Sequence, residues 1–443
     1  QLLQNIYQFI LQNYVDEVDP QVLYEGAMKG LFEALNDPYS VFLDSQMMSD
    51  LNDTTSGQFG GLGLYISKPL PANVPAGKKA WVEVVSPIED TPGWKAGIQP
   101  GDYITHIDNE PTEEMTMEQV LAKLRGTPGT KVTITVQRGA AIKFNETITR
   151  AIIEVPTIKR AMIENSIAYL RIIEFTPQTS QRVKEALDWF RQNGAKSLVI
   201  DLRNNPGGLL SSVVQVADMF IDSGVIVSTK SRNKYDNNVY KAKSATNISK
   251  DMPIVVLINK GSASAAEILA GALKDSKRAY LIGETSYGKG SVQQVIAPVG
   301  NTGFKLTMSR YYTPSDANID KLGIVPDLLV KEPELTEEEE KALTKLIEQN
   351  AFGNFAAKYP DAGDREISAF VQGLRSSGIT VSDRVLRKMV RNELDRTKLS
   401  PVYDLDYDLQ LQEAIKLLKS GQYAALLSQA LSVMELQQRN SAK

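Results

Sequence analysis

The first 50 residues carry apolar side chains at helical spacing. One series lies at the start of the chain, and a second runs from residue 23 to 35, where Asp37-Pro38 ends the pattern. Such a stripe packs either against the protein's own core or against a second copy of the chain, and the sequence leaves both readings open. The first series comprises Leu2, Leu3, Ile6, Tyr7, Ile10 and Leu11.

From residue 57 to 150 the pattern changes to short apolar runs separated by glycine turns. We expect a helix over 116–124 in this part of the chain. The remaining runs predict a strand-rich module, with strands at 64–66, 81–85, 103–108 and 131–137.

Strands and helices alternate from residue 152 to 330, which predicts an α/β core. The expected strands are at 167–172, 197–202, 254–259, 279–282 and 291–296. The expected helices are at 181–192, 209–220 and 265–274. Beyond residue 333 the chain is helical and charged. The acidic run Glu337–Glu340 suits the first turn of a helix and its solvated face.

Length and composition bound the class of protein. A chain of 443 residues exceeds one ordinary core, so we expect two or three domains. The net charge of −4 gives no general attraction to nucleic acid or acidic lipid. No stretch approaches the roughly 18 consecutive apolar residues that span a bilayer. The chain starts at Gln1 rather than Met, and we expect a signal or anchor segment to precede it.

The chain has no cysteine and one histidine, His106. The lack of cysteine excludes disulfides, zinc–thiolate sites and thiol nucleophiles. A metal cluster would have to be built almost wholly from carboxylates. We expect a structural or surface role for His106, because it lies in the strand-rich module.

A serine lies where a predicted strand meets a predicted helix. Segment 259–267 reads NKGSASAAE, and Ser264 stands directly before the helix at 265–274. A strand–turn–helix junction can present a hydroxyl beside outward backbone N–H groups, and the helix N-terminus favours developing negative charge. The alternative is that Ser262 or Ser264 only caps the helix. Taken alone, the segment favours the capping role.

A lysine flanked by glycines lies in a later loop. Segment 283–293 reads GETSYGKGSVQ and contains Lys289. This matches most of a phosphate-binding loop, but that motif requires Ser or Thr directly after the lysine and a helix opening there. Gly290 and a strand-like run follow instead, so we reject a nucleotide site.

Lys289 can serve as a general base if its pKa is lowered. An exposed lysine has a pKa of about 10.4, so half-deprotonation at pH 7 requires a decrease of about 3.4 units, or about 4.6 kcal/mol against the charged form. Burial in an apolar pocket can supply such a shift. On an extended strand Lys289, Ser291 and Gln293 point to one face. We therefore expect Gln293 to orient the lysine amine without adding a charge.

Two adjacent glycines form a third candidate element. Segment 201–210 reads DLRNNPGGLL, with Gly207 and Gly208 between a predicted strand and a predicted helix. Their backbone N–H groups are unobstructed and could hold an oxyanion. A tight turn is the alternative, and it is preferred unless Ser264 lies nearby.

Together these segments resemble the carboxyl-terminal processing proteases, also called tail-specific proteases. GSASAAE, GKGSVQ and DLRNNPGG occur in the family's order, and Ser264 and Lys289 have the family's spacing. The resemblance covers residues 1–330, from DPYSVFL at 37–43 to GIVPD at 323–327. It implies a multidomain α/β fold with a crotonase-like α/β protease core. Its implied parts are an N-terminal helical region at 1–56, an inserted PDZ domain at 57–150, the protease core at 151–333 and a helical C-terminal region at 334–443.

The same resemblance implies roles for single residues. Ser264 would be the nucleophile, Lys289 the general base and Gln293 its orienter, with no metal or cofactor. The oxyanion hole would use the amide of Ala265 and that of Gly207 or Gly208, a choice that the sequence leaves open. Position 266 is alanine where many members have serine, and we expect this to be harmless.

The strand-rich module resembles the family's PDZ domain. Its loop Gly60-Gly61-Leu62-Gly63 would present N–H groups to a chain-terminal carboxylate, and the strand from Leu64 would pair with the incoming peptide. Arg125 matches a position that in some members couples the PDZ domain to the protease core.

The resemblance implies a serine endopeptidase that cleaves proteins or peptides near their C-termini through an acyl-enzyme, gated by the PDZ domain. A catalytically silent PDZ adaptor is one alternative, and intact Ser264, Lys289 and Gln293 argue against it. An acyl-CoA enzyme of the crotonase type is another, but it would need neither the Ser–Lys spacing nor a PDZ module.

The resemblance also implies partners and a location. We expect substrate C-termini and no nucleic acid as partners, with a homodimer through the N- and C-terminal helices and an adaptor protein as further candidates. DLQLQEAI at 408–415 resembles the family's final helix, which in some members helps dimerise. The expected location is extracytoplasmic, either periplasmic or membrane-anchored.

Overall fold

A computed structural model of the chain describes residues 1–45, 47–48, 51, 57–69, 79–88, 90–139, 142–243, 247–297, 302–333, 335–395 and 402–441. The chain divides into two compact units. The first comprises Gln1–Gly57, Pro156–Lys331 and Gln410–Lys443, and the second comprises Gln58–Val155 and Glu332–Leu409. The helical region expected at 334–443 is thus divided between the two units.

Strands and helices are numbered in chain order. The strands are β1 (Val41–Leu43), β2 (Gln58–Gly61), β3 (Leu64–Ser67), β4 (Val82–Pro87), β5 (Tyr103–Ile107), β6 (Glu110–Pro111), β7 (Lys131–Arg138), β8 (Ile142–Thr149), β9 (Ala151–Glu154), β10 (Ile158–Ile163), β11 (Ile167–Ile172), β12 (Ser197–Asp201), β13 (Val225–Ser231), β14 (Asn238–Lys241), β15 (Ile254–Ile258), β16 (Tyr280–Gly283), β17 (Ser291–Ile296), β18 (Gly303–Tyr312) and β19 (Leu328–Leu329). The α-helices are α1 (Leu2–Asn13), α2 (Pro20–Glu33), α3 (Pro92–Lys95), α4 (Met117–Leu124), α5 (Thr179–Gln192), α6 (Leu210–Asp218), α7 (Ala265–Asp275), α8 (Glu337–Glu348), α9 (Ala351–Lys358), α10 (Asp364–Ser376), α11 (Asp383–Leu394), α12 (Leu409–Lys419), α13 (Tyr423–Gln429) and α14 (Val433–Ser441).

The first unit is built on a largely parallel sheet in the order β10-β11-β12-β15-β16-β19, in which only the β10–β11 pair is antiparallel. Every residue of β12 and β15 is buried, as expected for parallel strands covered on both faces. Because β12, β15 and β16 are neighbours, the loops that follow their carboxyl ends meet at one edge. Those loops carry the three candidate segments.

A second, antiparallel sheet of the first unit joins the N-terminal region to the lysine segment. Its order is β1-β18-β13-β14, and β17 also pairs with β18. Val41 lies opposite Lys305, which in turn lies opposite Val295. The turn at residues 37–40 therefore reaches β18, and β17 begins two residues after Lys289.

The C-terminal helices α12 to α14 belong to this first unit. The Tyr423 hydroxyl donates to the carbonyl of Ile254 on β15 at 2.8 Å, and the Val433 amide donates to Asp275 at 2.8 Å. Gln410 is buried and donates to the carbonyl of Val330. This final segment is therefore a part of the first unit's core.

The second unit contains the strand-rich module and a separate group of helices. The module's sheet has the order β3-β4-β5-β7-β8, so β3 is an edge strand, and α4 begins with a capping box between Thr116 and Gln119. His106 is half-buried on β5 and contacts Thr105. Helices α8 to α11 form their own apolar core. The buried residues of that core are Leu346, Phe352, Phe355, Ile367, Val371, Val381, Leu386, Val390 and Leu394.

The acidic run Glu337–Glu340 forms the first turn of α8, where Thr336 and Glu339 make a capping box. Within the described residues, no helix has the length and apolar character that crossing a bilayer requires.

Candidate active site

Ser264 lies at a strained junction between β15 and α7. Its backbone has a φ of 53° and a ψ of −114°, a conformation that a residue with a side chain rarely adopts. Ser264 is the N-cap of α7, so the capping position and the candidate nucleophile are the same residue. Such a sharp strand–turn–helix junction holds a serine hydroxyl outside the helix, beside the N–H groups of its first turn.

The neighbouring serine has a structural role. The Ser262 hydroxyl donates to the carbonyl of Leu202 at 2.8 Å and accepts from the Asn259 amide at 3.0 Å. The Ala263 amide donates to the carbonyl of Asn205 at 2.9 Å. These bonds fasten the turn before Ser264 to the loop that follows β12.

Glu267 links the serine turn to the lysine loop. Its carboxylate is fully buried and accepts from the amides of Ser264 (2.9 Å), Gly288 (2.7 Å) and Lys289 (2.9 Å) and from the Ser286 hydroxyl (2.6 Å). Burial raises the pKa of Glu267, and these donated hydrogen bonds partly oppose that rise. One side chain thus sets the backbone positions of both Ser264 and Lys289.

The Lys289 amine lies against an aromatic ring. Its Nζ is 4.7 Å from the centre of the Tyr39 ring, and among the described residues it makes no hydrogen bond. Burial lowers the pKa of Lys289, the charge of Lys305 lowers it further, and Glu267 opposes both. The direction is the one that a lysine base requires.

Gln293 does not orient the lysine amine in this conformation. Its Nε2 donates to the Ser291 hydroxyl at 2.9 Å and to the Thr307 hydroxyl at 3.1 Å. The predicted hydrogen bond to Lys289 relied on strict strand alternation. β17 begins only at Ser291, and its register shifts between Val292 and Gln293, which breaks that alternation.

The glycine loop lies beside Ser264. A Cβ added to Gly207 would approach the Cβ of Ser264 to 2.7 Å and the amide nitrogen of Ala265 to 3.0 Å. A Cβ on Gly208 would lie 2.2 Å from the carbonyl oxygen of Phe175. Both glycines have positive φ values, 109° and 131°, so the close approach and the backbone conformation each require glycine.

The two glycine amides differ in their partners. The Gly207 amide donates to Oδ1 of the buried Asn205 at 2.8 Å. Within the described part of the chain, the Gly208 amide donates to no acceptor. The Ala265 amide is in the first turn of α7, where helical N–H groups have no intrahelical acceptor.

Asp201 and Arg203 fix the start of the glycine loop. Asp201 is buried and accepts from the Arg203 side chain at 2.6 Å and from the Tyr169 hydroxyl at 2.6 Å. Burial works against ionisation of Asp201, but the charge and hydrogen bonds of Arg203 lower its pKa overall. Arg203 also donates to Gln410 at 3.2 Å, so α12 supports the same loop.

Comparison with known proteins decides the family. Residues 166–330 match the profile of peptidase family S41, residues 83–138 that of a PDZ domain, and residues 1–47 that of the activating protease CtpB N-terminal domain. The chain is 36% identical over 403 residues to a carboxy-terminal-processing protease of Bartonella bacilliformis, covering 90% of this chain and 89% of the relative. The chain belongs to the carboxy-terminal-processing proteases.

Two further similarities are found. The carboxy-terminal processing protease CtpA of Bacillus subtilis is 31% identical over 439 residues, covering 94% of this chain and 90% of the relative. A solved structure of a photosystem II D1 C-terminal processing protease is 28% identical and covers 75% of this chain and 87% of its own, with a TM-score of 0.45. The predicted fold class, an S41 protease core combined with a PDZ domain, is confirmed.

The PDZ domain of this protease has an apolar groove between β3 and α4. The groove is a cavity of about 300 Å³. The Arg125 guanidinium lies 4.8 Å from the centre of the Phe59 ring at its border. Part of the predicted binding loop is a strand, because Gly60 and Gly61 belong to β2 and pair with β9. The lining includes Gly61, Leu62, Gly63, Leu64, Met117, Leu121 and Leu124.

Three residues around Ser264 and Lys289 were not predicted from the sequence: Glu267, Tyr39 and Tyr311. Burial raises the pKa of Tyr311, and the neighbouring Ser264 side chain partly offsets that rise. Glu267 was within the quoted GSASAAE motif, and Tyr39 within DPYSVFL. The signal was therefore present in both motifs, but a buried acceptor and a ring contact can be recognised only in three dimensions.

Proposed function

We propose that the chain is a serine endopeptidase that cleaves proteins near their C-termini, with Ser264 as nucleophile and Lys289 as general base. The observation that carries this proposal is the shared carboxylate of Glu267, which holds the amides of both residues. Family membership supports the activity. The lowered pKa of Lys289 supports the assignment of the base.

The first half of the reaction acylates Ser264. Neutral Lys289 takes the proton of the Ser264 hydroxyl as Oγ attacks the scissile carbonyl carbon, and the carbonyl oxygen becomes an oxyanion. The amides of Ala265 and Gly208 hold that oxyanion. We choose Gly208 over Gly207 because the Gly207 amide is already bonded to Asn205. The Lys289 ammonium then gives its proton to the leaving amine, and the C–N bond breaks.

The second half of the reaction hydrolyses the acyl-enzyme ester on Ser264. Water loses a proton to Lys289 and attacks the acyl carbon, and the tetrahedral intermediate collapses with return of the proton to Ser264. Gln293 would orient the amine during these steps, which requires it to leave Ser291 and Thr307. The present positions of Gln293 and Lys289 support a resting conformation that substrate binding converts to the active one.

The PDZ domain would receive the substrate C-terminus. Its edge strand β3 offers unpaired backbone groups to an extended peptide, and the apolar groove offers a pocket for the last side chain. The Gly61–Leu64 segment would bind the terminal carboxylate. Arg125 would couple occupancy of this groove to the protease core.

The activity is tested by cleavage of an unstructured peptide with an apolar C-terminal residue. We expect wild type to cleave it and Ser264→Ala to lose cleavage, with an acyl-enzyme on Ser264 detectable by mass spectrometry. Gln293→Ala should lower kcat. Equal cleavage by wild type and Ser264→Ala would contradict the assignment of Ser264, and cleavage by neither would favour a PDZ adaptor.

We also propose a homodimer formed through the N-terminal helices. Helices α1 and α2 bury no side chain in the described chain, although Leu2, Phe9 and Val22 are apolar. Leu2 is 73% exposed and Phe9 is 67% exposed, which is unusual for a monomer surface. Helices α12 to α14 hydrogen-bond within their own unit, so we place the contact at α1 and α2.

An extracytoplasmic location, either periplasmic or membrane-anchored, follows from family membership as a further proposal. Fractionation of cells that produce the natural protein, with external protease digestion, tests it. A signal confined to the cytoplasmic fraction would contradict it.

A further inference from the structure

The ring of Tyr39 is held in a fixed position beside the lysine. The Tyr39 amide donates to Asp37 Oδ1 at 3.1 Å, and the Ser40 hydroxyl donates to Asp37 Oδ2 at 2.6 Å. The Thr307 amide of β18 donates to the Ser40 hydroxyl at 3.0 Å. This turn is therefore bound to the same sheet that carries the lysine segment.

A second tyrosine affects the hydroxyl end of the ring. Interaction with the neighbouring Tyr287 side chain, together with burial, raises the pKa of Tyr39 to about 12. Tyr287 is 60% exposed and lies two residues before Lys289. The half-buried ring of Tyr39 therefore remains a neutral phenol and offers its face to the lysine.

The ring contact and the proposed chemistry make opposite demands on the amine. The negative face of an aromatic ring attracts an ammonium group and does little for a neutral amine, so the contact favours the protonated form of Lys289. A general base must be neutral and within hydrogen-bond reach of the hydroxyl. Among the described residues, the amine has no hydrogen bond with Ser264 and faces the Tyr39 ring.

We propose that Tyr39 is a positioning residue that keeps the charged Lys289 amine on its ring in the resting enzyme. The amine leaves the ring before it takes the proton of Ser264. This inference rests on the proposed function, because holding the Lys289 amine away from Ser264 matters for catalysis only if Lys289 is the general base. It makes the turn at residues 37–40 a part of the control of catalysis.

The charged groups around the pair affect its titration and are unchanged by a substitution at Tyr39. Lys305 and Glu267 act on Lys289. Asp320 and Asp37 act on Tyr39. Any change in the titration of Lys289 on replacing the ring is therefore assigned to the ring itself.

The first experiment measures the free amine without using proteolysis. In the Ser264→Ala background, acetic anhydride is applied at a series of pH values, and acetylation of Lys289 is followed by mass spectrometry of its peptide. Only the neutral amine reacts. With Tyr39→Leu added, we expect the titration midpoint of Lys289 to fall by about 0.5–1 pH unit, and acetylation below the midpoint to become about 3–10-fold faster.

Two further variants separate the ring's charge distribution from its shape. Tyr39→Phe retains the π face and should keep the midpoint within about 0.2 unit of the Tyr39 protein. Pentafluorophenylalanine at position 39 retains the shape but removes the negative face, and should lower the midpoint as leucine does. The pentafluoro variant decides the question if Tyr39→Leu is unstable. An unchanged midpoint in the pentafluoro variant, or equal shifts for phenylalanine and pentafluorophenylalanine, would overturn the proposal.

The second experiment uses the active enzyme. The acid limb of the pH profile of kcat/KM should move to lower pH in Tyr39→Leu by the shift seen in acetylation, and stay in place in Tyr359→Leu. Tyr359 is the matched control because Lys358 faces its ring at 5.2 Å on an exposed helix end. If wild type does not cleave peptide at all, the proposed function fails, while acetylation still decides the role of Tyr39.

Discussion

Ser264 and Lys289 donate their backbone N–H groups to the same oxygen, Oε2 of Glu267, at 2.9 Å each. The two residues are on separate loops, so the chain that connects them does not by itself fix the distance between their backbones. A single buried acceptor does so for both backbones. The rigidity of the site therefore depends on a residue that need not touch substrate.

Replacing Glu267 with glutamine should cost both activity and stability. In the glutamine variant an NH₂ group replaces one of the two carboxylate oxygens and faces backbone N–H groups that need an acceptor. At least one buried donor is then unsatisfied, which should lower the free energy of unfolding by about 1–3 kcal/mol. A displacement of the two loops by about 1 Å would lower kcat on the order of 10²-fold. Peptide cleavage and denaturant unfolding measure the two effects.

Glu339→Gln is the control for this substitution. Glu339 accepts from the N-cap amide of Thr336 at 2.9 Å, as Glu267 accepts from Ser264, but it is only half-buried and holds neither Ser264 nor Lys289. Its replacement should leave kcat unchanged. Equal losses in the two variants would show that Glu267 acts only as a helix cap.

The pH dependence of cleavage should respond to the charge of Lys305. Activity requires neutral Lys289, so kcat/KM rises with pH through the pKa of Lys289, which lies below the ordinary lysine value. Lys305→Met removes a positive charge that disfavours the Lys289 ammonium. The pKa should therefore rise by a few tenths of a unit, and at a pH below it kcat/KM should fall about twofold.

Lys230→Met provides the matching change in net charge. Lys230 pairs with Asp316 at 2.5 Å on the surface, and its charge has no part in the lowered pKa of Lys289. The acid limb of the pH profile of kcat/KM in Lys230→Met should coincide with that of wild type. A limb that moves to lower pH in Lys305→Met would have the wrong sign and refute the assignment of Lys289 as base.

Arg125→Ala should reduce cleavage of long substrates more than binding of their C-termini. The guanidinium lies over the Phe59 ring, and both residues border a groove whose apolar lining also includes Leu62, Leu64 and Leu121. We expect peptide affinity of the PDZ groove to change less than threefold and kcat/KM to fall about tenfold or more. Fluorescence anisotropy and cleavage rates measure the two quantities, and an unchanged cleavage rate contradicts the coupling role.

Ile6→Glu should convert a dimer to a monomer. Ile6 is 48% exposed in the middle of the apolar face of α1, and a buried carboxylate there would be unpaired at an interface. Gln8→Glu adds the same charge on the opposite side of the helix. Two residues at about 100° each place position 8 about 160° from Ile6 by the shorter way round, so the dimer should remain intact. Light scattering after size-exclusion chromatography gives the masses, and a monomeric wild type would refute the proposed contact.

Local patterns were enough to predict the elements that carry the site. The strands at 167–172 and 291–296 were predicted with their observed bounds, and α7 was predicted to within one residue, because buried strands and amphipathic helices leave strong periodic signals. Gln293 shows the limit of such reasoning. A one-residue bulge has no clear signature in the sequence, yet it redirects every side chain that follows.

The partners of Lys289 could not be predicted for a different reason. Tyr39 and Lys289 lie on opposite sides of the PDZ sequence, and they meet because β1 and β17 both pair with β18. That pairing is a property of the assembled sheet. The difference between Gly207 and Gly208 likewise depends on a side chain, Asn205, that occupies only one of the two amides.

The division of the protease core into three chain segments imposes an order on its synthesis. Helices α12 to α14 leave the ribosome after the other two segments of this unit, yet they supply Gln410 to Arg203, and Tyr423 to β15. The core sheet can form earlier, but the loop with Gly208 lacks part of its support until those helices dock. A nascent chain is thereby prevented from acquiring a finished protease site before these helices have been synthesised.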